Sequence, residues 1–229
     1  MNIIINGGTR GIGKEVVIFL AQNPGNKIIA TGRNQVALND LVNRFSNVKA
    51  MKLDIAKIND YAEEFLNAAS KEFEKVDILI NIAGMMIPKE FMKVKAEDAR
   101  LMMETNFFGP AFIIRILHPL MHAGSHILNI SSMGGFQGAS KYKGLSYYSA
   151  SKAALVCLTE CLAIELKMEG ISVNCLALGS VQTEMFEEAF PGFKAPVSAK
   201  EMGEFISEFA LKGHKLFNGK ILPVAVSNP

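Results

Sequence analysis

The sequence predicts an α/β fold, a doubly wound parallel sheet of about seven strands with helices on both faces. Short apolar runs alternate along the chain with longer segments of helical periodicity, a pattern typical of parallel strands joined by crossover helices,. The first apolar run, residues 3–6, leads directly into a glycine-rich turn and then an apolar helix. With 229 residues and 49% hydrophobic side chains, the chain can bury one large core, so we predict a single domain, residues 1–229,.

The composition argues against several function classes. A net charge of +2, with no basic block, gives no electrostatic reason to bind nucleic acid or a membrane surface,. We find no apolar run long enough to span a bilayer and no basic n-region of a signal peptide. The cysteines, Cys157, Cys161 and Cys175, are predicted to be small core residues in a reducing compartment,. We therefore expect a cytoplasmic protein.

The first strand is followed by a glycine-rich turn, residues 7–13, and a helix that reaches about Gln22,. Backbone N–H groups at a helix N-terminus bind anions, and glycines let the anion approach closely. A P-loop is excluded, because Glu15 stands where a Ser or Thr should bind magnesium,. The remaining spacing, G-x-x-x-G-x-G from Gly7, predicts a site for the phosphates of a dinucleotide.

The second strand, residues 27–31, ends near Arg33. In NAD-binding units of this type an acidic residue at that point binds the ribose 2′-hydroxyl. The present chain has no acid there, and Arg33 and Arg10 could both face a 2′-phosphate,. We therefore expect NADP(H) to be preferred over NAD(H).

The next elements are predicted at residues 35–45 (helix), 48–53 (strand), 59–73 (helix) and 76–81 (strand). Asp54 follows the third strand and could either contact an adenine or cap the next helix. The small residues after the fourth strand, Ala83 and Gly84, could lie flat against a bound ring.

A long helical segment, residues 96–122, is interrupted at residues 105–110 by a Gly-Pro pair that bends or breaks a helix,. We expect the Asn106 side chain to turn inward at this break. His118 and His122 have a spacing compatible with a metal but lack a carboxylate partner, so we interpret them as surface or cap residues. No metal site is predicted.

The fifth strand, residues 125–130, ends at Ser131 and Ser132, and strand ends on this side of such sheets are where ligands bind,. Beyond a glycine-rich loop, Tyr148 and Lys152 are four residues apart at the start of an apolar helix, so their side chains share one face,. Lowering a phenol pKa from ~10 to ~7 takes about 4 kcal/mol, which a cation ~4 Å away can supply. Such a pair is common on helices and is not specific alone.

Taken in order, these motifs resemble those of the short-chain dehydrogenase/reductase family, in its single-domain branch. The glycine turn resembles T-G-x-x-x-G-x-G, residues 81–84 resemble N-N-A-G, and residues 174–179 with Thr183 resemble N-x-x-x-P-G-x-x-x-T. Four further positions match the family's catalytic tetrad: Asn106, Ser132, Tyr148 and Lys152. The resemblance covers nearly the whole chain, and the order and spacing of its motifs are specific.

The resemblance implies a single-domain Rossmann fold that transfers a hydride between a nicotinamide and a carbonyl or secondary alcohol. Tyr148 would act as general acid/base and Ser132 would hydrogen-bond the substrate oxygen. Lys152 would lower the tyrosine pKa and bind the nicotinamide ribose, and Asn106 would hold a proton-relay water. The residues expected to contact the cofactor are Gly7, Thr9, Arg10, Gly11, Ile12, Gly13, Arg33, Asn34, Asp54, Ile55, Asn81, Ala83, Gly84, Tyr148, Lys152, Gly179, Val181 and Thr183.

The chain departs from the family pattern at several positions. Asn6 replaces the first Thr of the glycine motif, where an amide can make the same local backbone bond. Ile82 replaces the second Asn of N-N-A-G, and Leu178 replaces the family's Pro, which leaves the nicotinamide-side loop less rigid,. The strand predicted at residues 220–224 lacks the D-G-G-like ending, which puts the family's tetramer contacts in doubt.

Residues 183–212 are predicted to form roughly the substrate lid. Apolar side chains of this segment, with Met85, Met86, Met133 and Phe136, either make an adaptable pocket for a small apolar aldehyde, ketone or diketone, or are ordinary packing between lid and core. The helices at residues 107–121 and 153–168 have more apolar surface than the sheet can cover, which predicts a homo-oligomer,.

Two alternative functions remain to be weighed against a reductase. A non-catalytic NADP-binding sensor would keep the fold, but such proteins generally lose the Tyr or Lys of the tetrad, and Tyr148 and Lys152 are both present. Sugar-nucleotide epimerases share the Tyr-x-x-x-Lys pair but need a substantial C-terminal substrate domain. The segment after Thr183 is too short for one.

Overall fold

The computed structural model describes residues 1–226, and the last three residues of the predicted domain lie outside the described part. The strands are β1 Asn2–Asn6, β2 Lys27–Gly32, β3 Val48–Lys52, β4 Val76–Asn81, β5 Met121–Ser132, β6 Ser172–Leu178, β7 Val181–Gln182, β8 Val197–Ser198 and β9 Ile221–Val224. The helices are α1 Gly11–Ala21, α2 Gln35–Arg44, α3 Ala62–Glu72, α4 Ala96–Met103, α5 Gly109–Leu117, α6 Ser146–Glu165, α7 Glu184–Ala189 and α8 Ala199–Lys212.

Seven strands form one parallel sheet in the order β3-β2-β1-β4-β5-β6-β9, and β7 and β8 form a separate two-stranded sheet. The predicted doubly wound fold is therefore confirmed. The strand order reverses between β1 and β4, and in such sheets ligands bind in the crevice at this reversal, beyond the carboxyl ends of the strands.

Side chains that alternate along the strands separate the core into two layers. Ile3 and Ile5 of β1 pack on the side of α1 and α8, whereas Ile4 packs on the side of α3 and α5. All three side chains are fully buried, because a central parallel strand is covered on both faces,. This double covering explains why the strands read as continuous apolar runs in the sequence.

Helix α8 belongs to the core and corrects the predicted extent of the lid. Its Met202 and Ile206 are buried in the layer beneath α1, and Gly203 lets its backbone approach Glu15 of α1 closely. A capping box formed by Ser198 and Glu201 begins this helix,. Residues between 183 and 193 therefore contribute to the wall of the cavity described below, whereas residues 199–212 support the sheet.

Two helices differ in their bounds from the sequence prediction. The helix predicted at 107–121 begins within a π-helical turn, Glu104–Phe108, and continues as α5, which ends before Pro119. Proline cannot donate the next helical hydrogen bond, so the chain leaves the helix and β5 already begins at Met121,. Helix α6 begins at Ser146, seven residues before the apolar segment predicted at 153–168, and so includes Tyr148 and Lys152.

The prediction that all cysteines are core residues is wrong for two of them. Cys157 and Cys161 are exposed on the face of α6 that points away from the sheet, whereas Cys175 of β6 is buried. Burial raises the pKa of the Cys175 thiol to about 12. The misprediction arose because α6 is apolar on its outer face as well as its inner face.

Within residues 1–226, no helix combines the length and the apolar character needed to cross a bilayer. Over the same residues, no group of three or more His, Cys, Asp or Glu side chains is arranged to hold a metal. The expectation that His118 and His122 lack a carboxylate partner is wrong, because the partners come from distant segments. The Nε2 atom of His118 lies 2.8 Å from Glu169, and that of His122 lies 2.9 Å from Asp77.

A buried histidine ties the C-terminal segment to the sheet. The Nδ1 of His126 lies 2.9 Å from the carbonyl oxygen of Ala210, and its Nε2 lies 3.1 Å from Nδ2 of Asn174. This pattern requires the neutral ring, with Nδ1–H as donor and Nε2 as acceptor. Burial lowers the pKa of His126 to about 4. Asn174 belongs to the motif expected to border the nicotinamide. Its side chain instead bonds backbone groups of Phe217 and Lys220, in the segment that leads into β9.

Stability should therefore fall as the pH decreases from about 6.5 to about 4. In this window the unfolded chain binds a proton at His126 and the folded chain does not, so protonation favours unfolding by about 3 kcal/mol,. Urea unfolding at a series of pH values measures the slope. His126→Gln should reduce it. An unaltered slope in His126→Gln would contradict this assignment.

Candidate active site

The glycine turn between β1 and α1 lies against the end of β4. Gly7 has a φ of +97°, and a Cβ at this position would lie 2.6 Å from the backbone nitrogen of Ala83. A Cβ on Gly13 would overlap the carbonyl oxygen of Gly7. Glycine is therefore required at both positions, since any side chain would push the turn away from β4 or from α1.

The N-terminus of α1 offers unsatisfied backbone donors to an anion. Arg10 stands at the N-cap with an extended backbone, no side chain makes a capping hydrogen bond, and the first turn has no acidic residue. The first N–H groups of a helix have no partner within the helix, and the helix dipole favours negative charge there. This geometry fits the pyrophosphate of a dinucleotide.

The residues predicted near the adenosine half lie around this turn. Arg10 and Arg33 are both exposed, and Nη1 of Arg10 lies 3.5 Å from Oε1 of Glu188 in α7. Asn34 caps α2 by accepting hydrogen bonds from Val36 and Ala37. Asp54 caps the turn at Ile55–Tyr61, which is one of its two predicted roles. The Ile55 side chain is buried and packs against Gly109.

A ladder of buried amides crosses the sheet below the glycine turn. Thr31 donates to Oδ1 of Asn6 over 3.2 Å, and Nδ2 of Asn81 donates to Oδ1 of Asn129 over 2.9 Å. Asn6 and Asn81 are register partners on neighbouring strands. The donor Nδ2 of Asn6 and the acceptor Oδ1 of Asn81 have no hydrogen-bond partner among residues 1–226. The Asn6 side chain thus bonds across the sheet and not locally as predicted. That of Asn81 bonds Asn129 within the sheet.

A cavity of about 490 Å³ opens at the carboxyl edge of the sheet,. Ten of the residues predicted to bind or act line it: Arg10, Gly11, Ile12, Gly84, Ser132, Tyr148, Lys152, Gly179, Val181 and Thr183. The other predicted residues are not in its lining: Gly7, Thr9, Gly13, Arg33, Asn34, Asp54, Ile55, Asn81, Ala83 and Asn106.

Asn106 is fully buried directly behind the cavity. The π-helical turn at Glu104–Phe108 points its amide at the loop after β4, where it accepts from the N–H of Met85 at 2.7 Å and donates to that residue's carbonyl at 2.8 Å. Its Nδ2 also donates to Oγ of Ser151 in α6. The inward orientation expected at the helix break is observed, and the amide joins three segments of the site.

Two adjacent serines at the end of β5 point in different directions. Ser131 is buried and donates to the carbonyl oxygen of Lys152 over 2.9 Å. Ser132 is half-buried, faces the cavity, and accepts a hydrogen bond from the N–H of Gly134. Both residues line the cavity, but successive side chains on a strand alternate between its faces, and the Ser131 hydroxyl is engaged by the Lys152 carbonyl,. Ser132 is therefore the serine placed to hydrogen-bond a ligand beside Tyr148.

Burial governs the protonation of the Tyr148–Lys152 pair. It raises the pKa of Tyr148 above its ordinary value, and a hydrogen bond with Ser132 lowers it only in part. Burial also lowers the pKa of Lys152 to about 8, and Nζ of this residue donates to the carbonyl oxygen of Ile130 over 2.9 Å. The expected lowering of the tyrosine pKa by Lys152 is not seen here. The phenol is therefore protonated at neutral pH.

The rest of the cavity wall is mainly apolar, apart from Ser131, Ser180 and Glu184. It is lined by Met86, Met133, Tyr142, Leu145, Met185, Phe186, Phe190 and Phe193. Met86 and Met133 belong to the predicted pocket, but Met85 and Phe136 do not reach it. Tyr142 and Leu145 were missed, although the long loop that carries them was visible in the sequence as an extended spacing between Ser132 and Tyr148.

Comparisons with known proteins agree with this geometry. A family model described as short chain dehydrogenase matches residues 1–192. An uncharacterized oxidoreductase of Staphylococcus saprophyticus is 28% identical over 207 residues, which cover 88% of this chain and 87% of the relative.

Solved structures share the fold along nearly the whole chain. A short chain dehydrogenase of Burkholderia cenocepacia in complex with NADP is 22% identical with a TM-score of 0.85, covering 97% of this chain and 95% of the other. The closed form of a serine dehydrogenase complexed with NADP⁺ is 25% identical with a TM-score of 0.84, covering 98% and 94%.

Replacing Asn106 should destabilise the protein as well as the site. Asn106→Ala removes the partners of both backbone groups of Met85, and buried groups left unsatisfied cost about 1–3 kcal/mol each,. We expect a loss of about 2–4 kcal/mol in urea unfolding. The exposed Asn59→Ala serves as control and should change stability by less than about 0.5 kcal/mol,. Equal stabilities of Asn106→Ala and the wild type would contradict the bridging role.

Proposed function

Because the chain belongs to the short chain dehydrogenase family and is an NAD(P)-dependent oxidoreductase, we propose that it reduces a small apolar aldehyde, ketone or diketone with NADPH. The observation that carries this proposal is the single cavity that Ser132, Tyr148 and Lys152 share with the N-terminus of α1. The cofactor, when bound, supplies the hydride to the carbonyl carbon. The chain supplies the binding, the orientation and the proton.

Tyr148 is proposed as the general acid. Its pKa lies above the ordinary value, so the phenol carries its proton at neutral pH. It would donate that proton to the strongly basic alkoxide oxygen that hydride transfer to the carbonyl creates. Ser132 would hydrogen-bond the same oxygen, since it faces the cavity beside Tyr148,. Both groups reside on rigid elements, the end of β5 and the first turn of α6.

Lys152 and Asn106 are proposed to support this proton transfer. With a pKa of about 8, Lys152 is mostly charged at neutral pH and would bind the ribose of the cofactor. A Cβ at Gly84 would lie 3.3 Å from Nζ of Lys152 and 3.5 Å from Oδ1 of Asn106, so these two polar atoms flank the same backbone position. We propose that Asn106 holds a relay water beside Lys152.

NADP(H) is the proposed cofactor. Arg10 and Arg33 are exposed at the adenosine end of the site, and a 2′-phosphate is the group that two guanidinium groups would recognise,. The serine dehydrogenase of similar fold was solved with NADP⁺, which supports the same choice.

The lining supports an uncharged substrate. Arg10 and Lys152, the cations of the lining, are both assigned to the cofactor in this proposal, and the carboxylate of Glu184 lies near the N-terminus of α1. Most of the remaining wall is apolar, with methionine, leucine, isoleucine and phenylalanine side chains. Burying a charged substrate there without a partner would cost several kcal/mol or more. Flexible methionine side chains accommodate apolar groups of different shapes.

Turnover tests this function directly. Purified protein should oxidise NADPH in the presence of apolar aldehydes, ketones or diketones, and more slowly with NADH. Tyr148→Phe should lower kcat by a factor of about 10²–10⁴, the usual contribution of a positioned acid. Tyr147→Phe is the matched control, because its ring stacks outside the cavity on Phe91.

Other outcomes have distinct meanings. Full activity in Tyr148→Phe would overturn the catalytic assignment, and a strong preference for charged substrates would end the apolar-pocket proposal. Tight NADPH binding without turnover of any carbonyl would favour an NADP-binding sensor.

We further propose a homo-oligomer that forms through α5 and α6. Exposed small and apolar side chains repeat every three or four residues along α6: Ala150, Ala153, Cys157, Cys161 and Ile164. Such a stripe suits close packing against another helix.

The three free cysteines support a reducing, cytoplasmic compartment,.

Light scattering after size-exclusion chromatography should give a mass of at least twice 25.0 kDa. Ile164→Glu should shift the protein toward the monomer, because it would place a charge in the proposed contact. Val36→Glu on α2 is the control, since its side chain is 78% exposed, like that of Ile164 at 77%. A monomeric wild type would remove this proposal.

A further inference from the structure

The short helix α7 covers the cavity and is joined to the proposed cofactor site at its first residue. Thr183, predicted to contact the cofactor, is the N-cap of α7, and its Oγ1 accepts a hydrogen bond from the N–H of Phe186. A ligand that contacts Thr183 therefore acts directly on the start of this helix.

Two carboxylates of α7 lie where the anionic groups of a cofactor are expected. The Oε2 atom of Glu184 is 3.4 Å from the position of a Cβ on Gly11, the first residue of α1. The Oε1 atom of Glu188 is 3.5 Å from Nη1 of Arg10. One carboxylate thus faces the uncapped end of α1, and the other neutralises the arginine proposed for the 2′-phosphate.

We propose that these carboxylates stand in for the cofactor's phosphates in the cofactor-free protein, so that α7 and the cofactor compete for the same positive groups. Glu184 takes the place of the pyrophosphate and Glu188 that of the 2′-phosphate. The proposal depends on the cofactor site described under Proposed function. Binding of NADPH must displace both carboxylates, so Glu184 and Glu188 weaken cofactor affinity. The position of α7 therefore depends on whether the cofactor is bound.

The two residues should affect different nucleotides. The pyrophosphate is common to NADPH and NADH, so removing the charge of Glu184 should tighten the binding of both. Only NADPH carries a 2′-phosphate, so removing the charge of Glu188 should tighten NADPH alone. Because the side chains of Arg10 and Glu188 are 46% and 67% exposed, the effect is modest, about two- to fivefold,.

The experiment measures the dissociation constants of NADPH and NADH by titrating the fluorescence of the reduced nucleotide. The proteins are the wild type, Glu184→Gln, Glu188→Gln and a matched control, Glu187→Gln. Glu187 lies on the same helix, and its carboxylate accepts from Nε2 of Gln182, which the glutamine of the variant can also do. The control thus removes one negative charge from α7 without changing either carboxylate of the proposal, Glu184 or Glu188.

The expected result is a two- to fivefold lower dissociation constant for NADPH in Glu188→Gln with NADH unchanged, and a lower constant for both in Glu184→Gln. Unchanged constants in both variants, or equal gains in Glu187→Gln, would overturn the competition. A wild type that binds neither nucleotide would instead overturn the proposed cofactor site.

Discussion

The approach of the glycine turn to the end of β4 is the constraint on which the rest of the site depends. Gly7 lies so near the backbone of Ala83 that any side chain would separate the two segments, and Gly13 likewise lets α1 meet the turn. Because β1 and β4 adjoin where the strand order reverses, this contact sets the depth of the crevice at the carboxyl edge,. The uncapped end of α1 and the cavity beside Tyr148 both open into that crevice.

Buried hydrogen bonds hold the site's side chains in place. Asn106 joins the loop after β4 to α6, and Ser131 joins β5 to the backbone of Lys152. Asn81 and Asn129 extend the same kind of bonding across the sheet. Each bond links elements distant in sequence. The bonds of Asn106 with Ser151, Ser131 with Lys152 and Asn81 with Asn129 are buried, so breaking one of them leaves an unsatisfied group and is costly,. The polar groups of the cavity are therefore oriented before any ligand arrives.

Burial also decides the protonation states in the cavity. An apolar wall disfavours charge, which raises the pKa of Tyr148 and lowers that of Lys152 to about 8,. The prediction from the sequence considered only the attraction between a cation and a phenolate, and it left out this desolvation. For that reason it gave a lowered pKa for Tyr148, whereas the pKa is raised. A protonated phenol and a mostly charged ammonium are the states that carbonyl reduction uses.

The sequence by itself determined the features that depend on neighbouring residues. The alternation of strands and helices, the glycine turn and the placement of Tyr148 and Lys152 on one helical face all follow from local periodicity and spacing. Only the tertiary structure decided that α8 packs under α1, that Asn6 bonds Thr31, and that two cysteines of α6 face outward. The physical reason is that burial, hydrogen-bond partners and pKa values depend on which distant segment covers a side chain, and sequence spacing does not specify that segment.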